Sequence, residues 1–235
     1  MESKADALVL RATDYGEYDK MVTLLTAERG KIGAALKGVR RAGAKLKFAA
    51  QPFCFAEYVL ASRGGRNTVT SAALHDGFYA LREDVTRYYA GAVVLSACDK
   101  IALEGMESGA LLVAAVTALE EIAQDEPLAL VRFLAAALAF AGYPVSAEEC
   151  PVCGRIPSGR MRFDFSGGTF LCEGCSEEGV PASESTYRTV RALTEGGEVT
   201  ADGVVRALRL LGAYFAFQVG ADIEELAEYL RLLRG

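Results

Sequence analysis

Ala5–Lys37 reads ADALVLRATDYGEYDKMVTLLTAERGKIGAALK. Ala5–Ala12 is an apolar run with a polar end, and Met21–Thr26 is a second apolar run. Asp14-Tyr15-Gly16-Glu17 between them has the composition of a turn. Glu28-Arg29-Gly30-Lys31 then turns the chain into Ile32–Lys37. Phe53–Ala61 alternates weakly, Ser62–Arg66 is a Gly-Gly hairpin loop, and Asn67–Leu74 is a further strand. Short strands separated by glycine-bearing turns predict a small closed five-stranded barrel over residues 1–78. Gly38–Gln51, between the third and fourth strands, has room for a short helix.

Beyond the last strand the apolar period lengthens. Arg82–Glu104 is nearly continuous in helix formers, with Gly91 as its weak point, and is apolar on most sides, which predicts a buried central helix. Leu112, Val116, Leu119 and Ala123 form one helical stripe. Leu130, Leu134, Ala137, Leu138 and Ala141 form the next. Gly105–Gly109 and Gln124–Pro127 separate these segments, and Gly142-Tyr143-Pro144 stops the third. Pro181–Ser185 starts another helix. Asp202–Phe217 follows, with Val204, Leu208, Leu211 and Phe215 on one face, and Ile223–Leu233 adds a final turn or a short helix. The fold class is multi-part α+β: a barrel over 1–78, then a helical domain over 79–235.

Into that helical domain, at residues 148–178, is inserted a module with the pairs Cys150-Pro151-Val152-Cys153 and Cys172-Glu173-Gly174-Cys175. Two CxxC knuckles at this spacing can close a tetrahedron of thiolates around one zinc ion. Met161–Phe165 alternates, Ser166-Gly167-Gly168 turns, and Thr169–Leu171 returns, the hairpin of a zinc ribbon. Four thiolates leave no open coordination position, so Cys150, Cys153, Cys172 and Cys175 are expected to hold one structural Zn²⁺. Cys54 and Cys98 stand alone in apolar segments. Reduced thiols or a redox pair are the plainer alternatives.

The composition, with 51% hydrophobic residues among 235, supports packed cores. The start of the chain lacks an apolar leader, and the longest apolar runs, Gly109–Leu119 and Phe133–Val145, are shorter than the ~18 residues of a membrane span. A soluble, cytoplasmic protein with no membrane partner is expected. The net charge of −6 conceals a division. Residues 1–76 carry 12 Lys/Arg against 8 Asp/Glu, a net +4, while the rest carries 13 against 23, a net −10.

The positive charge is concentrated in an acid-free run. Arg29, Lys31, Lys37, Arg40, Arg41, Lys45 and Lys47 occur with no Asp or Glu among them. Glycines 30, 33, 38 and 43 leave the backbone accessible. Such a run is a candidate phosphate track. Tyr15, Tyr18, Phe48, Phe53, Phe55 and Tyr58 are candidate stacking platforms for bases, although Phe53 and Phe55 sit in an apolar strand and read better as core. The chain holds one histidine, His75, without a nucleophile motif near it. GxSxG, P-loop and HExxH motifs are absent from the sequence. Asp14, Glu17 and Asp19 form an acidic cluster that an exposed turn explains. No enzymatic activity is expected.

The phrase Leu8–Thr26, Gly30-Lys31, Lys37-Gly38-Val39-Arg40-Arg41, Gln51-Pro52-Phe53, Leu81-Arg82-Glu83-Asp84 and the cysteine module together resemble the bacterial RecO family. The resemblance implies an N-terminal OB-fold, a helical domain and a zinc module. It implies a recombination mediator that binds single- and double-stranded DNA and anneals complementary strands. With RecR, such a mediator helps RecA replace single-strand-binding protein, in the bacterial cytoplasm at the nucleoid. It places DNA contacts at Lys31, Lys37, Arg40 and Arg41. It also implies a site for the acidic tail of single-strand-binding protein in the helical part. Residues 84–149 contain only Arg87, Lys100 and Arg132 as cations, so Lys100 and Arg132 are the candidates. The alternative is a zinc-ribbon adaptor that binds protein only.

Overall fold

The computed structural model describes residues 2–124 and 127–233, so Asp125 and Glu126 of the expected Gln124–Pro127 break lie outside it. The chain divides at residues 125/126 into two compact units. The first holds five strands: β1 (Glu2–Tyr15), β2 (Asp19–Thr26), β3 (Gly30–Leu36), β4 (Phe55–Arg63) and β5 (Arg66–Asp76). They close into a barrel in the order β1-β2-β3-β5-β4. β3 and β5 run parallel and the other neighbours antiparallel. β1 serves two partners, with Glu2–Leu8 on β4 and Ala7–Tyr15 on β2. An irregularity between Val9 and Arg11 lets it turn from one to the other.

The barrel interior is filled by Ala7, Val9, Val22, Leu24, Ile32, Ala34, Leu36, Tyr58, Leu60 and their neighbours. Ala7-Leu8-Val9-Leu10 is buried on both faces, which explains why the sequence there is continuous rather than alternating. Its outer face is covered by helices α1 (Val85–Ile101) and α2 (Gly109–Ala123), which pack on β1. α1 starts where Asp84 Oδ1 accepts from the Arg87 amide at 2.8 Å. It is shorter than Arg82–Glu104 and, unlike the expected buried helix, not buried all round, since Val85 and Tyr88 are exposed. On α2 the buried face is Leu111, Leu112, Ala115, Ala118, Leu119 and Ile122; Val116 and Ala123 are only half-buried.

The short helix for which Gly38–Gln51 has room is a single turn. The segment runs through successive turns and makes only a short helical turn at Phe48–Ala50. Gly38 at φ 65 breaks the helical path, and Val39, Ala49 and Ala50 plug the barrel. Phe53 lies outside the strand, at φ 69, and is buried. Its ring fills the space where a Cβ on Gly91 would stand, 2.9 Å from Phe53 Cε1. The glycine that weakened the helix pattern is therefore a contact point for Phe53.

A second junction joins barrel and helices. The β2–β3 turn meets the loop after α1 through Gly105 N to Arg29 O at 2.9 Å, Ser108 N to Ala27 O at 2.6 Å and Lys31 N to Leu103 O at 3.3 Å. Gly30, at φ 61, is buried here, and a Cβ on it would lie 2.0 Å from the Leu103 carbonyl oxygen. Its backbone is not accessible, unlike that of Gly33.

The second unit contains α3 (Leu128–Phe140), β6 (Met161–Asp164), β7 (Thr169–Cys172), β8 (Val180–Ala182), α4 (Glu184–Glu195), α5 (Ala201–Val219) and α6 (Glu224–Leu232). α3 buries Leu130, Leu134, Ala137 and Leu138 and ends before Gly142 at φ 91; Ala141 is half-buried. The expected hairpin has a third strand, in the order β7-β6-β8. Pro181 belongs to that strand and not to a helix start; α4 is capped by Ser183, which accepts from the Thr186 amide. The sheet is fastened by aromatic edges: Phe163 to Tyr214 at 5.3 Å and Phe170 to Tyr187 at 5.2 Å. Val204, Leu208, Leu211 and Phe215 of α5 are buried as the stripe predicts. Among the described residues, no helix is long and apolar enough to cross a membrane.

Replacing Gly30 by Ala should destabilise the first unit by roughly 2–4 kcal/mol, since it combines positive φ with a backbone clash. Gly64→Ala, at positive φ in open space, should cost about 1 kcal/mol. Urea-unfolding midpoints check the difference.

Candidate nucleic-acid interface and metal centre

The acid-free run is one stretch in sequence but two places in space. β3 carries the chain from Gly30 to Leu36, about 20 Å at ~3.3 Å per residue. Arg29 and Lys31 therefore stand at one end of the strand, and Lys37, Arg40, Arg41, Lys45 and Lys47 beyond the other. Nor is the charge uncompensated. Lys31 Nζ lies 3.1 Å from Asp99 Oδ1 on α1 and also donates to the Asp99 carbonyl. Arg11 reaches the same carboxylate at 4.0 Å. Asp99 is 68 residues from Lys31, so nothing in the run announces it. Lys31 is half-buried and buttresses α1.

The far end is built differently. Asp19 Oδ1 accepts from the Gly38 amide at 2.7 Å, and the Arg40 amide donates to Tyr18 O at 2.9 Å. The Arg40 guanidinium donates to Gly16 O and Glu17 O, both at 3.2 Å, and pairs with Asp14 at 3.1 Å. Arg41 lies over the Tyr18 ring at 4.9 Å. These bonds tie the loop after β3 to the β1–β2 turn. Lys47 Nζ donates to Ala42 O at 2.9 Å within the loop. Lys37, Arg40, Arg41, Lys45 and Lys47 are all exposed. Among the described residues, Lys37 and Lys45 make no ion pair. Asp14 and Asp19 are thus engaged in holding this loop.

Of the six aromatics, Tyr15 and Tyr18 are exposed at 62% and 41% beside this basic loop. Tyr58 and Phe53 are core, and Phe48 and Phe55 are half-buried. The Phe55 and His75 rings lie tilted with centroids 5.0 Å apart, and His75 Nε2 is 2.7 Å from Asp6. Lys100 is half-buried on α1 in the first unit, and Arg132 is on α3 in the second.

The four module cysteines converge. Their Sγ atoms all lie within 4.8 Å of one another. The first knuckle is closed by Gly154 N to Cys150 O and Cys150 N to Arg155 O, both at 2.8 Å, with Gly154 at φ 66. Cys172 ends β7, and Cys175 sits in the short helical turn that follows. Burial works against the Cys150 thiolate, but backbone donors at Cys172, Cys153 and Val152 outweigh it and hold the thiol low. The Arg155 hydrogen bond pulls Cys153 down to about 6. Cys175 is pushed up to about 12, first by its hydrogen bond to Cys153 and then by burial. Two thiols are favoured as thiolates, while burial at Cys172 and the hydrogen bond to Cys153 at Cys175 resist ionisation. The cluster can hold a metal ion. All six cysteines are free of disulfides.

The sequence matches the family model described as "Recombination protein O N terminal" over residues 1–78 and "Recombination protein O C terminal" over residues 82–227. It is 32% identical over 230 residues to a DNA repair protein RecO of Myxococcus xanthus, covering 94% of each chain. A DNA repair protein RecO of Nocardioides sp. is 33% identical, with 94% of this chain and 96% of the relative covered. One from Thermobifida fusca is 31% identical, with 94% and 95% covered.

Lys31→Met should lower stability by about 1–2 kcal/mol in urea, because it strands the Asp99 carboxylate. Lys37→Met should leave stability within about 0.5 kcal/mol of wild type.

Proposed function

The chain belongs to the RecO family of DNA repair proteins, and on that premise we propose that it is a non-enzymatic mediator of recombinational repair. It binds single- and double-stranded DNA and anneals complementary strands. With RecR it helps load RecA onto DNA coated by single-strand-binding protein. The observation that carries the reading is the basic loop after β3, bonded to the β1–β2 turn, with Lys37, Arg40, Arg41, Lys45 and Lys47 exposed beside Tyr15 and Tyr18. Lysine and arginine there neutralise phosphates and release counterions, which is independent of sequence. Two strands so neutralised repel each other less, and annealing follows without covalent chemistry. Arg29 flanks the other barrel end as a weaker contact, and Lys31 contributes through its hold on α1.

The metal of the cysteine cluster is Zn²⁺ in this reading. Zinc–thiolate bonds of about 2.3 Å place tetrahedral sulfurs roughly 3.8 Å apart. Cys153 Sγ and Cys172 Sγ are separated by 3.8 Å. A four-thiolate ion is structural, and its binding stabilises the β6–β7–β8 sheet. Lys100 and Arg132 are the proposed cations for the tail of single-strand-binding protein.

The second reading, a protein-only adaptor, has one observation in its favour: Val152 and Ile156 on the first knuckle are exposed at 63% and 53%. Fluorescence anisotropy separates the two. A single-stranded oligonucleotide of any sequence should bind at low salt, with a log–log salt slope of about −2 or steeper for three or more contacts. Lys37→Glu with Arg40→Glu and Arg41→Glu should weaken it at least ~100-fold. Binding unchanged in that variant would remove the loop from the interface, and no binding by wild type would favour the adaptor. For the metal, a thiol-specific mercurial should release about one equivalent of Zn²⁺ per chain; less than about half an equivalent would contradict the cluster's assignment.

A further inference from the structure

The first knuckle runs Cys150-Pro151-Val152-Cys153-Gly154-Arg155, and its last residue touches both of its cysteines. Gly154, at φ 66, turns the chain back, and the Arg155 carbonyl accepts from the Cys150 amide at 2.8 Å, which closes the loop. The Arg155 amide donates to the Cys153 sulfur, and so does its guanidinium. The same guanidinium faces Cys172 and Cys175 of the second knuckle. Cys150 is served differently: it is buried, and the backbone amides of Cys172, Cys153 and Val152 donate to it. Cys153 is the exposed cysteine of the four. The sulfur most open to water is therefore the one with a cationic donor.

The other cations of the module are occupied elsewhere. Arg160 pairs with Glu173 at 3.0 Å, and Arg162 donates to the Glu178 and Gly179 carbonyls, both at 2.9 Å. Among the described residues, no carboxylate pairs with Arg155. The surroundings do not favour a negative cluster. Glu148, Glu149, Asp164, Glu173, Glu177 and Glu178 lie within the module, against Arg155, Arg160 and Arg162.

Four thiolates around a divalent ion leave an excess of negative charge. Uncompensated, that excess makes each sulfur easier to protonate and to displace from the metal. A guanidinium stays charged at any working pH, and a hydrogen bond from it fixes a ligand without competing for its place on the ion. On the reading that the cluster holds Zn²⁺, we propose that Arg155 is the positioning cation of the site. It compensates the cluster's charge through Cys153 and sets how tightly the metal is held. Its backbone shapes the knuckle, and its side chain supplies the charge that the acidic module lacks.

The test is competition for Zn²⁺ between the full chain and a chromogenic chelator. Arg155→Gln removes the guanidinium and leaves the amide and carbonyl of residue 155 in place, so the knuckle keeps its backbone bonds. It should weaken zinc binding roughly tenfold. Arg155→Lys, which keeps the charge, should stay within about threefold of wild type. Arg160→Gln, in the same module, should bind as wild type does. With Co²⁺ in place of Zn²⁺, Arg155→Gln should keep the ligand-field bands of a tetrahedral four-thiolate site. Its sulfur-to-cobalt charge-transfer bands should move to lower energy, because a sulfur has lost its cationic donor. If Arg155→Gln matches wild type in both measurements, the role of Arg155 is overturned and the zinc reading stands. Loss of the ligand-field bands would make Arg155 a structural residue only, and equal weakening by Arg160→Gln would make the effect one of overall charge; either overturns the role. If wild type takes up less than about half an equivalent of either metal, the role and the zinc reading fall together.

Discussion

There is no room for a methyl group between Gly30 and the carbonyl of Leu103. That close approach brings the β2–β3 turn against the loop after α1, where three backbone hydrogen bonds join them. Lys31 extends the junction to Asp99, and Phe53 makes a second one against Gly91. Helices α1 and α2 thereby cover the outer face of β1, where Leu8 and Leu10 are buried. The junction also uses up one end of β3. Whatever the barrel binds has to be met by the other end and by the faces the helices leave open.

Electrostatics follows from this geometry. Acids from distant elements divide the cations by role. Asp99 makes Lys31 a strut, whereas Asp14 and Asp19 orient the loop that presents Arg40, Arg41 and Lys37. An ion pair on an exposed surface contributes little stability, so the Arg40–Asp14 pair matters more for position than for energy. The second unit shows the contrast. Arg188, Arg191, Arg206 and Arg231 each pair with an acid one helical turn away.

The barrel strands were legible because their apolar runs and glycine-bearing turns are local signals; their order, in which β3 pairs in parallel with β5 across the long segment 37–54, was not. The four cysteines were legible for the same reason: each knuckle is four residues long, and the chemistry of thiolates does the rest. What was not legible depends on distance or on plugging. β8 is three residues with a proline, too short and too irregular to read as a strand, and it exists because β6 has an edge to pair. Gly38–Gln51 has residues compatible with a helix, but Val39, Ala49 and Ala50 are drawn into the barrel and its turns follow. The basic run looked uniform because Asp99 lies on a helix 68 residues away. Tyr15 and Tyr18 are distinguished from Tyr58 only by which side of a strand or turn they occupy.

The central claim is that nucleic acid is held on the barrel away from the helix junction. Amide hydrogen exchange with and without a single-stranded oligothymidylate tests it directly. The account predicts slowed exchange over residues 15–20 and 33–47, with the cysteine module unchanged. Protection confined to the cysteine module or to α1 and α2, with the barrel loops unaffected, would contradict it.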